Sequence, residues 1–462
     1  MLRKRMSNHT DSITEGVIWR PLLAFFFPIL LGSFFQQLYN TVDAMIVGKF
    51  VGKEALAAVG GATGTMINLI IGFFLGLSSG ASVIVSQYYG ARRDQDVSDT
   101  VHTAMALAIV GGAVLTVVGY FVSPTLLRMM GTPEDVMRYA TDYISIYFLG
   151  TIPSMIFNIG SGILRAVGNS RRPLTFLMTA CFVNIVLDVI FVMGLEMGTA
   201  GAAIATILSQ CVCALMVMLT LCRSSLSYRV DLRKIRFHGA ILRRTVQIGL
   251  PAGLQSVMYS ASNVIIQAAV NGFGTDVLAA WTAYGKMDGL HWMTISAFGV
   301  AITTFAGQNF GAQRFDRMKR SVRVCLGIAA GSVVGLSAIL LIFARPLLSL
   351  FANEPEVLDI GIQIIHMLVP TYITYLCIEI LSGAVRGAGD SVIPTMMTLV
   401  GVCVIRVIWV LGVCPQFNSL RMLLSSYPIT WSLTSIMFIL YYWKAPWLKR
   451  CIKKAGFQEA AV

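Results

Sequence analysis

The sequence predicts an all-α polytopic membrane protein, with twelve transmembrane helices in two six-helix bundles related by a pseudo-two-fold axis along the membrane normal. Three observations predict it. The composition is too apolar for a soluble globule, the apolar residues fall into twelve long runs, and the second half of the chain repeats the first. Of 462 residues, 56% are hydrophobic and 12% charged, and the mean hydropathy is +0.74. A soluble protein carries about 25% charged residues, because its surface must face water. The composition therefore excludes a soluble enzyme and a disordered chain. The apolar runs are continuous rather than alternating, which argues against an outer-membrane barrel.

A bilayer core of about 30 Å needs about 20 apolar residues per helix. Spans are predicted near 17–45, 54–80, 98–123, 136–164, 173–194, 199–222, 241–270, 278–306, 320–344, 357–384, 393–413 and 421–443. No short apolar region with a small-residue cleavage site follows the polar, basic start, so no removable signal is expected. Ser12 and Glu15 fit a capping box ahead of the first span.

The net charge of +13 reads as topology rather than nucleic-acid binding. Sorted by predicted side, 27 of the 35 basic residues fall with the N-terminus, including the run Arg223–Arg244 and the tail from Lys444. Lys and Arg concentrate in cytoplasmic loops. Both termini are therefore expected in the cytoplasm, in a plasma-membrane protein.

The repeat divides the chain. Ser161-Gly-Ile-Leu-Arg165-Ala-Val-Gly168-Asn-Ser170 matches Ser382-Gly-Ala-Val-Arg386-Gly-Ala-Gly389-Asp-Ser391 at an offset of 221. At the same offset Gln87-Tyr-Tyr-Gly90-Ala91 matches Gln308-Asn-Phe-Gly311-Ala312. Pro28 matches Pro251, and Asn40 matches Asn263, at 223. Six spans per half give both halves one orientation, a parallel repeat. The expected domains are an N-terminal lobe over 1–222, a basic cytoplasmic linker over 223–240 and a C-terminal lobe over 241–462. Two like lobes around a midplane cavity is an architecture of alternating-access transport.

Ionisable groups inside a bilayer are costly, so the few present are functional candidates. They are Asp43, Asp188, Lys286, Asp288, Glu379 and Arg406. On the first span Gln36, Tyr39, Asn40 and Asp43 share a helical face, and Pro28 fifteen residues earlier is a bend point. On the fifth, Asn184 and Asp188 are one turn apart in an apolar run, placing an amide within reach of the carboxylate. Tyr143, Asn158 and Thr206, with Ser209 and Gln210 beside the last, are weaker candidates on their own. In the second lobe Ile266 and Val410 stand where the first has Asp43 and Asp188. Glu379 and Arg406 occupy the positions of Asn158 and Asn184, and their placement predicts a buried pair. Lys286 and Asp288 are expected near a cavity, as is the polar stripe Ser256, Tyr259, Ser260, Asn263, Gln267. Glycines every fourth residue, Gly72-76-80 and Gly327-331-335, read as helix-packing stripes. Cysteines and histidines lack ligand spacing, so no resident metal is expected. Without a Walker A or hydrolase motif there is no support for ATP hydrolysis or an enzyme.

The chain resembles the MATE family, the multidrug and toxic-compound extrusion transporters, and within it the prokaryotic DinF-like branch. The residues that carry this are Thr14-Glu15-Gly16, Pro28, Leu38-Tyr39-Asn40-Thr-Val-Asp43, Gln87-Tyr-Tyr-Gly90-Ala91, Gly162–Asn169, Asn184–Asp188, Gly201–Thr206 and Gly307–Ala312. The resemblance covers essentially the whole chain. It implies a monomeric exporter of cationic or amphipathic small molecules, driven by H+ or Na+ antiport and needing no cofactor. It also implies a coupling network of Tyr39, Asp43, Asn158, Asn184, Asp188 and Thr206, with Pro28 as hinge and Tyr143 nearby; Asp43 and Asp188 would hold Na+ if that is the ion. Position 259 is Tyr where another branch has an acid, so that branch's second-lobe cation site is not expected. The alternative reading is a lipid-linked oligosaccharide flippase of the same wider superfamily, which would favour a more cationic cavity than Lys286 and Arg406 supply.

Overall fold

The computed structural model describes residues 13–457 apart from 61, 130, 131, 353 and 418. The expected Ser12 cap lies outside them. Helices follow in order over each of the twelve predicted apolar runs. The first six are α1 (Trp19–Phe50), α2 (Ala62–Gly90), α3 (Asp94–Met129), α4 (Glu134–Leu149 and Thr151–Ala166), α5 (Arg171–Asp188) and α6 (Gly198–Cys222). The next six are α7 (Gly239–Asn271), α8 (Thr275–Gly311), α9 (Phe315–Ile342), α10 (Pro355–Leu368 and Tyr372–Gly387), α11 (Val392–Phe417) and α12 (Leu420–Lys444). A short helix, Lys53–Gly60, precedes α2, where one run from 54 was expected. The two halves of α4 bend by 53° at Gly150; among the described residues ten helices are long and apolar enough to cross a membrane, or eleven if this bent pair is one span. α7 is 33 residues long but is made less apolar by its polar stripe. Large apolar side chains point outward, with Phe121 73% and Trp443 79% exposed, as lipid-facing helices require.

The repeat is written into the backbone at the helix ends. Gly168 and Gly389 close α4 and α10 with φ of 93° and 98°, a left-handed conformation that glycine adopts without penalty. Asn169 N–H then reaches back to the Leu164 carbonyl at 2.8 Å, and Asp390 N–H to Val385 at 3.2 Å. Arg92 and Gln313, also 221 apart, take the same conformation (φ 56° each) after α2 and α8. The midspan break recurs as well, at Gly150 in α4 and at the 3-10 turn Val369–Thr371 in α10.

The described residues form two compact units, one of 24–254 and one of 255–457 together with 13–23. In the first, the apolar core draws on α2 to α6, with Ile163, Leu164, Val217 and Leu221 among its fully buried members. The opening of α7 belongs to this unit and packs on α2 without side chains between them. A Cβ on Gly76 would overlap the backbone of Gly253, and one on Gly249 the backbone of Leu77. In the second unit, the Thr14-Glu15-Gly16 segment is clamped by two arginines at the start of α9. Arg317 donates to the carbonyls of Ile13, Glu15 and Gly16 at 3.0, 2.7 and 2.7 Å, and Arg314 pairs with the Glu15 carboxylate at 2.9 Å. A closing amphipathic helix, α13 (Trp447–Lys454), buries Trp447, Leu448, Cys451 and Ile452 and turns its lysines outward.

The second glycine stripe differs from expectation. Cβ atoms on Gly327, Gly331 and Gly335 would meet nothing within 4 Å, so these glycines are not a close-packing seam among the described residues. Gly249→Leu is therefore expected to destabilise the protein by about 1–3 kcal/mol through overpacking. Gly331→Leu is expected to stay within about 0.5 kcal/mol of wild type. Thermal unfolding of the detergent-solubilised variants checks both.

Candidate functional site

The first unit concentrates buried polar groups on four helices. Asp43 hangs from α1 at 4% exposure, one turn below the buried Tyr39. Asn184 and Asp188, both 0% exposed, occupy the last turn of α5. Immediately beyond Asp188 the helix widens into a π turn, Val189–Gly194, a distortion frequent at functional sites. Thr206 comes from α6, and Tyr143 and Tyr147 stack from α4 at 6.2 Å. The Tyr143 hydroxyl lies within electrostatic reach of Asp43, Tyr147, Tyr39 and Asp188, and Asp188 within reach of Asp43.

The second unit offers independent evidence that these carboxylates meet. Ile266 and Val410, the repeat counterparts of Asp43 and Asp188, are buried in one apolar cluster with Val270 and Leu423. One scaffold position is thus filled by a hydrophobic contact in one unit and by two acids in the other.

These acids are poorly satisfied by protein. Among the described residues Asp43 Oδ1, both Asp188 oxygens, both Asn184 amide atoms and Thr206 Oγ1 are buried without a hydrogen-bond partner. Buried polar groups are nearly always paired, and an unpaired one costs about 1–3 kcal/mol. The set supplies carboxylate, amide and hydroxyl oxygens, hard donors that suit Na+ as well as a proton. No group of three or more His, Cys, Asp or Glu at metal-holding distance occurs among the described residues. Asn158 is more weakly engaged and donates to the Ser154 carbonyl of its own helix at 2.8 Å. Gln210 donates to the Tyr39 hydroxyl at 3.5 Å. Pro28 lies inside α1, which runs unbroken from Trp19 to Phe50.

The second unit holds a cavity of about 420 Å³. Tyr259, Asn263 and Gln267 of the predicted α7 stripe line it, as do Asp288 and Arg406. Lys286 does not; it is exposed on α8. Sequence reasoning missed the aromatic wall: Trp281, Tyr284, Trp292, Tyr372, Tyr427 and Trp431. The signal was present, since Trp281, Tyr284, Asp288 and Trp292 share one face of α8 and Tyr427 and Trp431 one face of α12.

The expected Glu379–Arg406 pair does not form. Glu379 Oε1 instead meets Arg386 Nη2 at 3.4 Å, two turns along the same helix. It packs onto Gly299 of α8, where a Cβ would collide with the carboxylate. Arg406 lies in a single α-helical turn of α11, Ile405–Ile408, between two π turns. It stacks over Tyr427 at 4.1 Å and donates to Thr430 Oγ1 at 3.0 Å. Position in the repeat thus matched Glu379 and Arg406 to facing helices, but a nearer cation and an aromatic face won each of them. A double-mutant cycle on Glu379→Gln and Arg386→Gln should give a coupling of about 1 kcal/mol in unfolding free energy. The cycle of Glu379→Gln with Arg406→Gln should give less than about 0.5 kcal/mol.

Comparison with known proteins places this architecture. The MatE family model matches residues 28–190 and 251–410, the two repeats in turn. A Bacillus subtilis relative described as a probable multidrug resistance protein, YoeA, is 28% identical over 456 residues, 96% of this chain and 97% of its own. Solved structures of a MATE protein in a bent and in a straight conformation superpose with TM-scores of 0.88 each at 22% identity. They cover 97% and 96% of this chain and 99% of theirs. The chain is a member of the MatE family, and as such an integral membrane transporter rather than an enzyme.

Proposed function

We propose that the protein is a secondary active efflux transporter that exports organic cations and amphipathic molecules in exchange for H+ or Na+. One observation carries the reading: Asp43 and Asp188 are buried within electrostatic reach of each other, Asn184 one turn before Asp188, with oxygens that no donor among the described residues satisfies. A carboxylate in that setting is stable only when a proton, a cation or a cationic substrate neutralises it. The same groups therefore serve coupling ion and substrate in turn.

With the lobes open outward, Asp43 and Asp188 take up the ion. α1 then shifts at Pro28, whose ring removes one backbone hydrogen bond from an otherwise continuous helix. Affinity for substrate falls and substrate leaves. With the lobes open inward, the ion departs to the cytoplasm and substrate binds. Coupling requires that ion and substrate favour different states, since equal affinity for both drives nothing. Support comes from the multidrug resistance description of YoeA and from the two conformations solved for the MATE neighbour. The distribution of basic residues supports cytoplasmic termini, and each chain carries a full set of spans, which suits a monomer.

The test is ethidium efflux from cells expressing matched amounts of each variant. Asp43→Asn and Asp188→Asn are each expected to cut the initial rate at least tenfold, or about 1.4 kcal/mol per factor of ten. Pro28→Ala is expected to slow turnover severalfold while ethidium still binds. Intact gradient-driven efflux in both aspartate variants would contradict the mechanism.

A further inference from the structure

We infer that the cavity of the second unit is a binding site for planar aromatic anions, ring systems bearing a carboxylate or phosphate, with Arg406 as the anion's partner. This goes beyond the transport reading and does not depend on how transport is coupled.

Arg406 sits at the edge of this cavity, yet its side chain is 2% exposed. A buried guanidinium normally pairs with a carboxylate, because an uncompensated charge in low dielectric is costly. Among the described residues its direct partners are neutral, the Thr430 hydroxyl, the face of Tyr427 and, at 5.6 Å, the face of Trp431, although the Asp288 carboxylate lines the same cavity. Its Nε–H has no acceptor among the described residues. An anion entering the cavity would supply what the protein leaves out.

Asp288, the carboxylate on the same wall, is in the opposite condition. Trp292 Nε1–H donates to one oxygen at 2.9 Å and the Tyr284 hydroxyl to the other at 3.3 Å. Tyr284 is itself joined to the Tyr372 hydroxyl at 2.9 Å. The cavity thus holds a satisfied carboxylate and an unsatisfied cation. The aromatic faces of Tyr427 and Trp431 are already covered by Arg406, so they do not offer a cation the usual cage. The remaining rings, Trp281 and Trp292 among them, provide flat apolar walls for a fused ring system. The volume of about 420 Å³ falls in the range of small-molecule sites.

Three probes with one ring system and different charge test this: 2-naphthoate, 2-naphthamide and 2-naphthylmethylammonium, each titrated calorimetrically into the full-length protein in lipid nanodiscs. No ion gradient is present, so the result is independent of ethidium efflux. Wild type is expected to bind naphthoate at least tenfold tighter than the amide, and the ammonium more weakly still. Arg406→Gln should remove that preference. Gly285→Leu provides a second variant that leaves the charge in place. Gly285 lines the cavity and a Cβ there meets nothing within 4 Å, so the fold should tolerate leucine while the cavity narrows. It should weaken naphthoate at least tenfold. Equal affinity for acid and amide, preference for the ammonium, or naphthoate binding unchanged in both variants would each overturn the proposal.

Discussion

A carboxylate inside a bilayer must be neutralised, and the first unit is organised around that constraint. Asp43 and Asp188 are withdrawn from water, but the described residues leave Asp43 Oδ1 and both Asp188 oxygens without hydrogen bonds. Holding such groups costs several kcal/mol, so the surrounding helices must over-determine them. They do so by packing. α5 is fixed against α6, where Cys213 Sγ reaches the Phe176 carbonyl at 3.4 Å, and α4 brings Tyr143, stacked on Tyr147, within electrostatic reach of both acids. The two places where the helices depart from regular geometry, Pro28 in α1 and the π turn after Asp188, lie on the helices that carry the acids.

The second unit shows the same scaffold without that constraint. Where the acids would stand, Ile266 and Val410 pack in an apolar cluster and stabilise by burial alone. Its polar residues have moved elsewhere: Glu379 is neutralised by Arg386 two turns along α10, and Arg406 is set among rings. Duplication preserved the helix ends, because Gly168 and Gly389, and Arg92 and Gln313, terminate equivalent helices in the same backbone conformation. The interior was free to diverge, since any side chain that satisfies its neighbours fits a midspan position. One unit thus holds a buried acidic pair and the other an aromatic cavity.

Features set by periodicity and local chemistry were legible in the sequence. The long helices follow from continuous apolar runs, and the repeat from motifs that the structure identifies as helix caps. The N-terminal cluster was legible because a lone acid in an apolar run is expensive wherever it lands, as Asp188 shows. What depended on which neighbour lies nearest was not legible. Glu379 had two arginines to choose between; it pairs with Arg386 on its own helix and packs its carboxylate onto Gly299 of α8. The stripe Gly327-331-335 has the spacing of a packing seam but meets nothing within 4 Å among the described residues, whereas Gly249 and Gly253 of α7 do meet α2. The aromatic wall was spread over three helices, and no single segment announced it.

The central claim is that Asp43 and Asp188 convert an ion gradient into substrate movement. Proteoliposome uptake tests it most directly, with a pH gradient and a sodium gradient imposed separately across vesicles holding purified protein and a fluorescent cationic dye. The account predicts uphill dye movement under at least one gradient in wild type. It predicts none under either gradient when both aspartates are changed to asparagine. Uphill movement that persists in the double variant, or wild-type movement indifferent to both gradients, would contradict it.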